Sequence, residues 1–234
     1  MLRLGRYQDV LADVECDALV CDPPFGERTH GGDATTLGFD DYRTPITYSH
    51  WTAADVDAFV TSWSPRVRGW MVALTSHDLI PAYEVAFERA GRFSFAPVAC
   101  VTLGMGVRLL GDGPASWTVY AMVARRRTKA AADWRALPGA YVSTRGTGGG
   151  GGRGKPLDLM RALVKDYSRP GDLVCDPCAG YGTTGLAALS MGRRFVGAEV
   201  DAAAHAEGVR RLSSAQTVDL FDQGRAKQTA LEIR

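Results

Sequence analysis

Long apolar runs are missing from this 234-residue chain. No stretch approaches the roughly 20 residues of a membrane helix, and the N-terminus lacks the apolar core of a signal peptide. The expectation is a cytoplasmic protein with no membrane partner. Excess charge of either sign is missing too. Lys plus Arg total 27 against 26 Asp plus Glu, so any polyanion must be held by local basic patches rather than by global charge. Cysteine is sparse and uneven: Cys16, Cys21, Cys100, Cys175 and Cys178 form an odd set in mostly apolar segments, which points to reduced thiols and not to a disulfide framework. Cys175 and Cys178 make a C-x-x-C, but Cys175 falls in an expected buried strand and the nearest other pair is Cys16 and Cys21. Packing is the expected role, and no metal is expected. No internal repeat is present, and the length suits one α/β domain.

What the chain does have is alternation of strand and helix signals. Leu2 and Leu4 suggest a short strand, and Gln8 to Leu11 a helical turn. Asp17 to Cys21 is an apolar strand that runs into Asp22-Pro23-Pro24-Phe25-Gly26, where tandem prolines forbid continuing the ladder and fix an extended backbone. Asp22 therefore stands at a strand's C-terminal end, where open parallel sheets place their ligands. Residues 27–52 read as a long polar loop with His30 and His50. A helix from Ala53 with Thr52 as N-cap, a strand at Gly69 to Leu74 and a helix carrying Tyr83, Phe87 and Ala90 follow. Phe95 to Leu103 and Trp117 to Ala124 are expected to pair as an antiparallel hairpin.

A basic run, Arg125-Arg126-Arg127-Thr128-Lys129, leads toward five consecutive glycines, Gly148 to Gly152, flanked by Arg145, Arg153 and Lys155. The tract is expected to be a flexible connector. Lys155-Pro156 then opens a helix bearing Leu157, Met160, Leu163, Val164 and Tyr167. Leu173 to Cys175 reads as a buried strand ending on Asp176, and the chain turns through Gly180-Tyr181-Gly182-Thr183-Thr184-Gly185 into a helix. This segment matches the dinucleotide pattern G-x-G-x-x-G, with Glu199 near the distance of an acidic ribose partner. By itself that turn admits several nucleotides. The alternation as a whole predicts an α/β fold with a doubly wound, mostly parallel, Rossmann-like sheet.

Two motifs narrow the choice. Asp22-Pro23-Pro24-Phe25 resembles the D-P-P-Y/F motif of S-adenosylmethionine-dependent DNA amino-methyltransferases. Asp176-Pro177-Cys178-Ala179-Gly180-Tyr181-Gly182-Thr183-Thr184 resembles their D-P-F-A-G-S-G-T-T motif, with Cys178 in place of phenylalanine. Lys155-Pro156, Gly192 to Glu199 and Arg210-Arg211-Leu212 sit where that family places its K-P, G-R-x-x-x-G-x-E and R-L elements. The order, D-P-P first, is that of the permuted β group.

The resemblance implies a single methyltransferase domain over 1–234: a catalytic half at 1–145 with target-contacting loops, a glycine linker at 146–154 and a cofactor-binding half at 155–234. Its sheet would end in the antiparallel hairpin. Asp22, Pro23, Pro24 and Phe25 would be catalytic. Tyr7, Gln8, Cys21, Lys155, Pro156, Asp176, Pro177, Cys178, Ala179, Gly180, Gly182, Thr183, Thr184, Glu199 and Val200 would hold S-adenosylmethionine, with Tyr7 or Gln8 replacing the contact the family makes from a Gly-Asp turn, here Gly5-Arg6. DNA is the implied partner, with a homodimer as a further expectation, and Arg28, His30, Arg125, Arg126, Arg127, Arg145 and Arg153 are the candidates to contact it. The implied reaction is methylation of an exocyclic amine, adenine N6 favoured over cytosine N4. An RNA methyltransferase, a nicotinamide oxidoreductase and an inactive DNA-binding module are the alternatives.

Overall fold

Two runs with few polar residues, Ala18–Cys21 (β2) and Trp70–Thr75 (β3), are buried at every position, as parallel strands covered on both faces must be. They form the middle of the structure, a computed structural model that describes residues 1–27, 49–103, 117–127, 136–144 and 154–214. The other strands are Leu2–Leu4 (β1), Arg92–Ser94 (β4), Val98–Leu103 (β5), Thr118–Arg126 (β6), Ala140–Thr144 (β7), Leu173–Asp176 (β8) and Arg194–Glu199 (β9). Helices lie at Tyr7–Val10 (α1), Ala53–Trp63 (α2), Ile80–Arg89 (α3), Leu157–Tyr167 (α4), Thr183–Leu189 (α5) and residues 202–214 (α6).

The strands make one sheet in the order β1-β9-β8-β2-β3-β6-β5-β7, with β4 also paired to β6. From β1 through β3 every pairing is parallel, and β6 runs antiparallel to β3, β4 and β5. This is the doubly wound, mostly parallel sheet the alternation predicts, and the expected hairpin forms, with Val98 opposite Ala121. Its first strand begins at Val98 and not at Phe95, since Pro97 has no N–H to give the ladder, and a separate short strand, β4, precedes it. The hairpin is not the last element of the sheet. β7 pairs parallel to β5 at the edge, in the stretch between the basic run and the glycine tract, for which the sequence predicts no strand. Its period-two pattern, Tyr141 and Ser143 buried and Ala140, Val142 and Thr144 exposed, was the available signal.

Each face of the sheet is covered. α4 and α5 bring Leu159, Met160, Leu163, Val164, Tyr167, Ala187 and Ala188 onto one face; α2 and α3 bring Val56, Phe59, Val60, Trp63, Tyr83 and Phe87 onto the other. α2 begins as expected at Thr52, whose hydroxyl accepts from the Asp55 N–H while the Asp55 carboxylate accepts from the Thr52 N–H, a reciprocal capping box.

Arg92 is 1% exposed, the most buried cation of the described residues. Its guanidinium donates to Ser64 Oγ at 2.9 Å, to the carbonyls of Ser64 and Gly69 at 2.8 and 2.9 Å, and to that of Val67 at 2.5 Å. Burial pulls its pKa down to about 10, with repulsion from Arg126 adding to the shift. The side chain thus satisfies the backbone where α2 turns toward β3. Arg92→Met should cost about 3 kcal/mol, because the buried carbonyls lose their donors. Urea denaturation would show it as a lower midpoint with an unchanged slope; a cost under about 1 kcal/mol would refute this role.

Candidate active site

β2 and β8 are neighbours in the sheet, with Ala18 opposite Val174 and Leu19 opposite Cys175. After β2 the chain continues to β3 on one side, and after β8 to β9 on the other. The loops leaving these two strands therefore diverge and open a crevice at the carboxyl edge, the switch point where doubly wound sheets bind ligands. Asp22 leaves one strand there and Asp176 ends the other. Two carboxylates that are remote in sequence meet because their strands are adjacent.

Asp176 is 1% exposed. Its Oδ2 accepts from the Thr184 hydroxyl at 2.5 Å and its Oδ1 from the Cys178 N–H at 3.0 Å. Burial pushes its pKa up to about 7, against the lowering effect of those two hydrogen bonds, and Asp22 and Glu199 add repulsion. The turn that follows uses its glycines differently. Gly180 and Gly182 have φ of 50° and 74°, in the left-handed region that other residues avoid. A Cβ on Gly180 would meet nothing within 4 Å, so that backbone faces open space. Gly185 lies inside α5, where a Cβ would come 2.6 Å from Phe195 and 2.8 Å from Leu212; there the need is close packing of helix on strand.

Glu199 closes the other side. Its Oε2 accepts from the Gly180 N–H and its Oε1 from the Asp201 N–H, both at 2.7 Å, and its carbonyl accepts from the Gly5 N–H at 2.8 Å. Glu199 thus ties the N-terminal turn to the glycine loop, and each carboxylate oxygen keeps a further lone pair. Val200 beside it is exposed. Tyr7 is half-buried, its ring edge-on to Phe59 at 5.8 Å. Burial pushes its phenol up to about 12; Gln8 is exposed. Arg211 donates to the Tyr181 carbonyl at 2.6 Å, bracing the glycine turn from α6.

The thiols here are neutral. Burial pushes Cys21, Cys175 and Cys178 well above the ordinary range; Asp176 is the next cause for Cys21 and Cys178, and Cys16 for Cys175. Nucleophilic or metal-binding thiolates are disfavoured at these positions. Ala179 and Thr183 are buried, and Pro177 lies between Asp176 and Cys178 in the same turn.

The Asp22 loop is built rigidly. Gly26 N–H donates to Ser76 Oγ at 3.0 Å, Trp51 N–H donates to the Phe25 carbonyl at 3.0 Å, and the Phe25 ring packs on the core. A Cβ on Gly26 would lie 2.1 Å from Asp78 Oδ2, so a side chain there would force the Asp78 carboxylate to move. Pro23 is buried and Pro24 partly so. Asp22 Oδ2 accepts from Lys155 Nζ at 2.8 Å, and the same ammonium stands 4.5 Å from the centre of the Phe25 ring. Asp22 Oδ1 is buried and has no hydrogen-bond partner among the described residues. Pro156 is the N-cap of α4 rather than its first residue, its carbonyl accepting from Met160 N–H at 3.1 Å. Ser76 and Asp78, absent from the sequence-based site, support the loop; the signal for them was polar residues just beyond a buried strand's carboxyl end.

The basic candidates divide. Arg28, His30, Arg145 and Arg153 lie outside the described residues. Arg125, Arg126 and Arg127 lie at the other end of the sheet, since Arg125 pairs with Trp70 at the start of β3, whereas Cys21 pairs with Ala73 near its end. Arg126 donates to the Pro65 and Val67 carbonyls, and Arg125 sits 5.3 Å from the Phe93 ring. The structure does not bring these three to Asp22.

A doubly wound sheet with a glycine turn and two carboxylates at its switch point has the layout of a nucleotide-cofactor fold. Residues 141–209 match the DNA methylase family model. Over 74 residues the chain is 36% identical to the DNA adenine methyltransferase YhdJ of Escherichia coli (strain K12), covering 32% of this chain and 25% of that relative. The matched segment thus spans about a quarter of that curated relative. The fold is that of M1.HpyAVI, solved as a complex with SAM (TM-score 0.65, 21% identity, 91% of this chain and 99% of that one), and of the cytosine-N4-specific PvuII DNA methyltransferase (TM-score 0.60, 14% identity, 92% and 90%). The resemblance to DNA amino-methyltransferases drawn from the motifs is borne out by these comparisons.

Proposed function

We propose that the protein methylates an exocyclic amine of a DNA base, with adenine N6 the favoured target. The observation that carries this reading is Asp22 Oδ1, a buried acceptor without a partner among the described residues, at the switch-point crevice beside the glycine turn. An aromatic amine is a poor nucleophile because its lone pair is delocalised into the ring. Asp22 and the Pro23 carbonyl would accept its two hydrogens, favour a pyramidal nitrogen and direct the freed lone pair away from the ring plane. The base must leave the duplex to reach them, and the Phe25 ring would stack on it.

The residues fit S-adenosylmethionine. The bare Gly180 backbone opens onto space, Glu199 keeps lone pairs for ribose hydroxyls, and Asp176 offers a buried carboxyl to a cation. When bound, the cofactor supplies an electrophilic methyl on a sulfonium. The positive charge suits a crevice with three carboxylates, Asp22, Asp176 and Glu199, better than a dinucleotide's pyrophosphate would.

Adenine is favoured by the similarity to YhdJ, and cytosine N4 is the second reading, favoured by the fold shared with the PvuII enzyme. On this reading the protein would work on DNA in the cytoplasm, with a second subunit helping to recognise the target. Nucleoside analysis of unmodified DNA incubated with protein and S-adenosylmethionine should yield N6-methyladenine. N4-methylcytosine would select the second reading, and neither product across varied sequences would reject both.

A further inference from the structure

The family resemblance assigns Lys155 to the cofactor, and its ammonium has two partners of its own in the crevice. It is 2.8 Å from Asp22 Oδ2 and 4.5 Å from the centre of the Phe25 ring. Those are the two groups that, on the function proposed above, hold the target base: one binds its amine and the other stacks on its plane. With Phe25 packed on the core from behind, the cation occupies the region a stacked base needs. An ammonium is a fair mimic of what it would replace, since it presents N–H donors to the carboxylate and positive charge to the ring.

The pair is only partly exposed, with side-chain accessibilities of 22% for Lys155 and 29% for Asp22. Water therefore has limited room to hydrate the carboxylate, and without Lys155 neither of its oxygens would have a side-chain partner among the described residues. Lys155 also sits immediately before Pro156, the N-cap of α4, whereas Asp22 follows β2, so the contact spans 133 residues of chain.

We propose that Lys155 is a placeholder for the target base: it fills the pocket between Asp22 and Phe25 in the resting protein and must be displaced for a base to enter. It is a gate and a positioning residue, and it takes no part in methyl transfer itself. Displacement sets a threshold, so that only a base delivered with enough binding energy elsewhere gains the pocket. A neutral aromatic amine competes poorly with an ammonium for a carboxylate.

The test rests on the proposed function for its choice of probe but not for its readout. The nucleoside 2′-deoxyadenosine carries the N6 amine but no phosphate, so removing a cation cannot act on it through backbone attraction. It is titrated into wild type, Lys155→Met and Lys155→Arg, and S-adenosylhomocysteine affinity is measured by calorimetry on each. The expected result is at least about fivefold tighter nucleoside binding by Lys155→Met, near-wild-type binding by Lys155→Arg, and S-adenosylhomocysteine affinity within about twofold throughout. Adding Phe25→Ala to Lys155→Met should erase the gain. Nucleoside binding that is unchanged or weaker in Lys155→Met overturns the proposal, and so does a tenfold loss of S-adenosylhomocysteine affinity, which would make Lys155 a cofactor ligand. Wild type that passes these tests but methylates no DNA would sink the proposed function and leave the placeholder standing.

Discussion

Asp22→Ala should lower methyl transfer by about three orders of magnitude or more while leaving cofactor affinity within a few-fold of wild type. The size follows from what the side chain supplies. Its Oδ1 is a buried acceptor with no partner among the described residues, so it is already desolvated before an amine arrives. Without it the amine keeps its lone pair in the ring and loses the group that fixes its orientation. The sparing of the cofactor follows from placement: Asp22 lies on the β2 loop, and the glycine turn and Glu199 belong to β8 and β9. Asp22→Asn should fall nearly as far, because an amide NH2 in place of one oxygen opposes the incoming amine. Single-turnover rates on DNA, paired with calorimetric cofactor titration, measure both quantities. A rate within tenfold of wild type would remove Asp22 from the chemistry.

The second large effect is expected from pH acting through Asp176. With its folded pKa raised to about 7 by burial, the cofactor-free protein holds a proton there that the unfolded chain has released above the ordinary 3.8. The sign is that of a raised carboxyl: the contribution to stability is fully present below pH 3.8 and is lost as pH rises through 7, a change on the order of a few kcal/mol. A sulfonium reverses the preference, because a cation beside the carboxyl favours its ionised form. Cofactor affinity should therefore climb up to tenfold per pH unit below 7 and level off above it, with proton release on binding in the acid range. Asp176→Asn should flatten that profile and weaken binding at pH 8 by roughly 10- to 100-fold, the range of a lost charge-assisted contact. The same substitution should raise the melting temperature of the cofactor-free protein at pH 8. A slope that survives in Asp176→Asn would assign the titration to another group.

Much of this site was legible because strand ends announce themselves. Ala18 to Cys21 and Leu173 to Asp176 are apolar runs terminated by a carboxylate and then by proline, and no other element type suits such runs. The carboxyl edge and the two acids on it followed. The alternation of elements also gave the parallel sheet and its hairpin. What could not be read was lateral placement. Arg125 to Arg127 look like a phosphate patch in sequence, but pairing register puts Arg125 opposite Trp70, at the far end of the sheet, and gives Arg126 to backbone carbonyls. The K-P pair marked Lys155 in sequence, but its ion pair with Asp22 spans 133 residues of chain and only the adjacent strands reveal it. β7 was hidden between a basic run and a glycine tract, and only its short alternation marked it.

The interleaving of strands bears on how the chain reaches this state. β2 lies between β3 and β8, and the Asp17 carboxylate accepts from the Leu173 N–H, 156 residues away. During synthesis at roughly 5–20 residues per second, β2 emerges many seconds before its second partner exists. Its buried edge would stay open meanwhile, an invitation to chaperones and to misplaced strand pairing. Folding of this protein should therefore be slow, governed by loop closure across most of the sequence and completed only once β8 and β9 arrive.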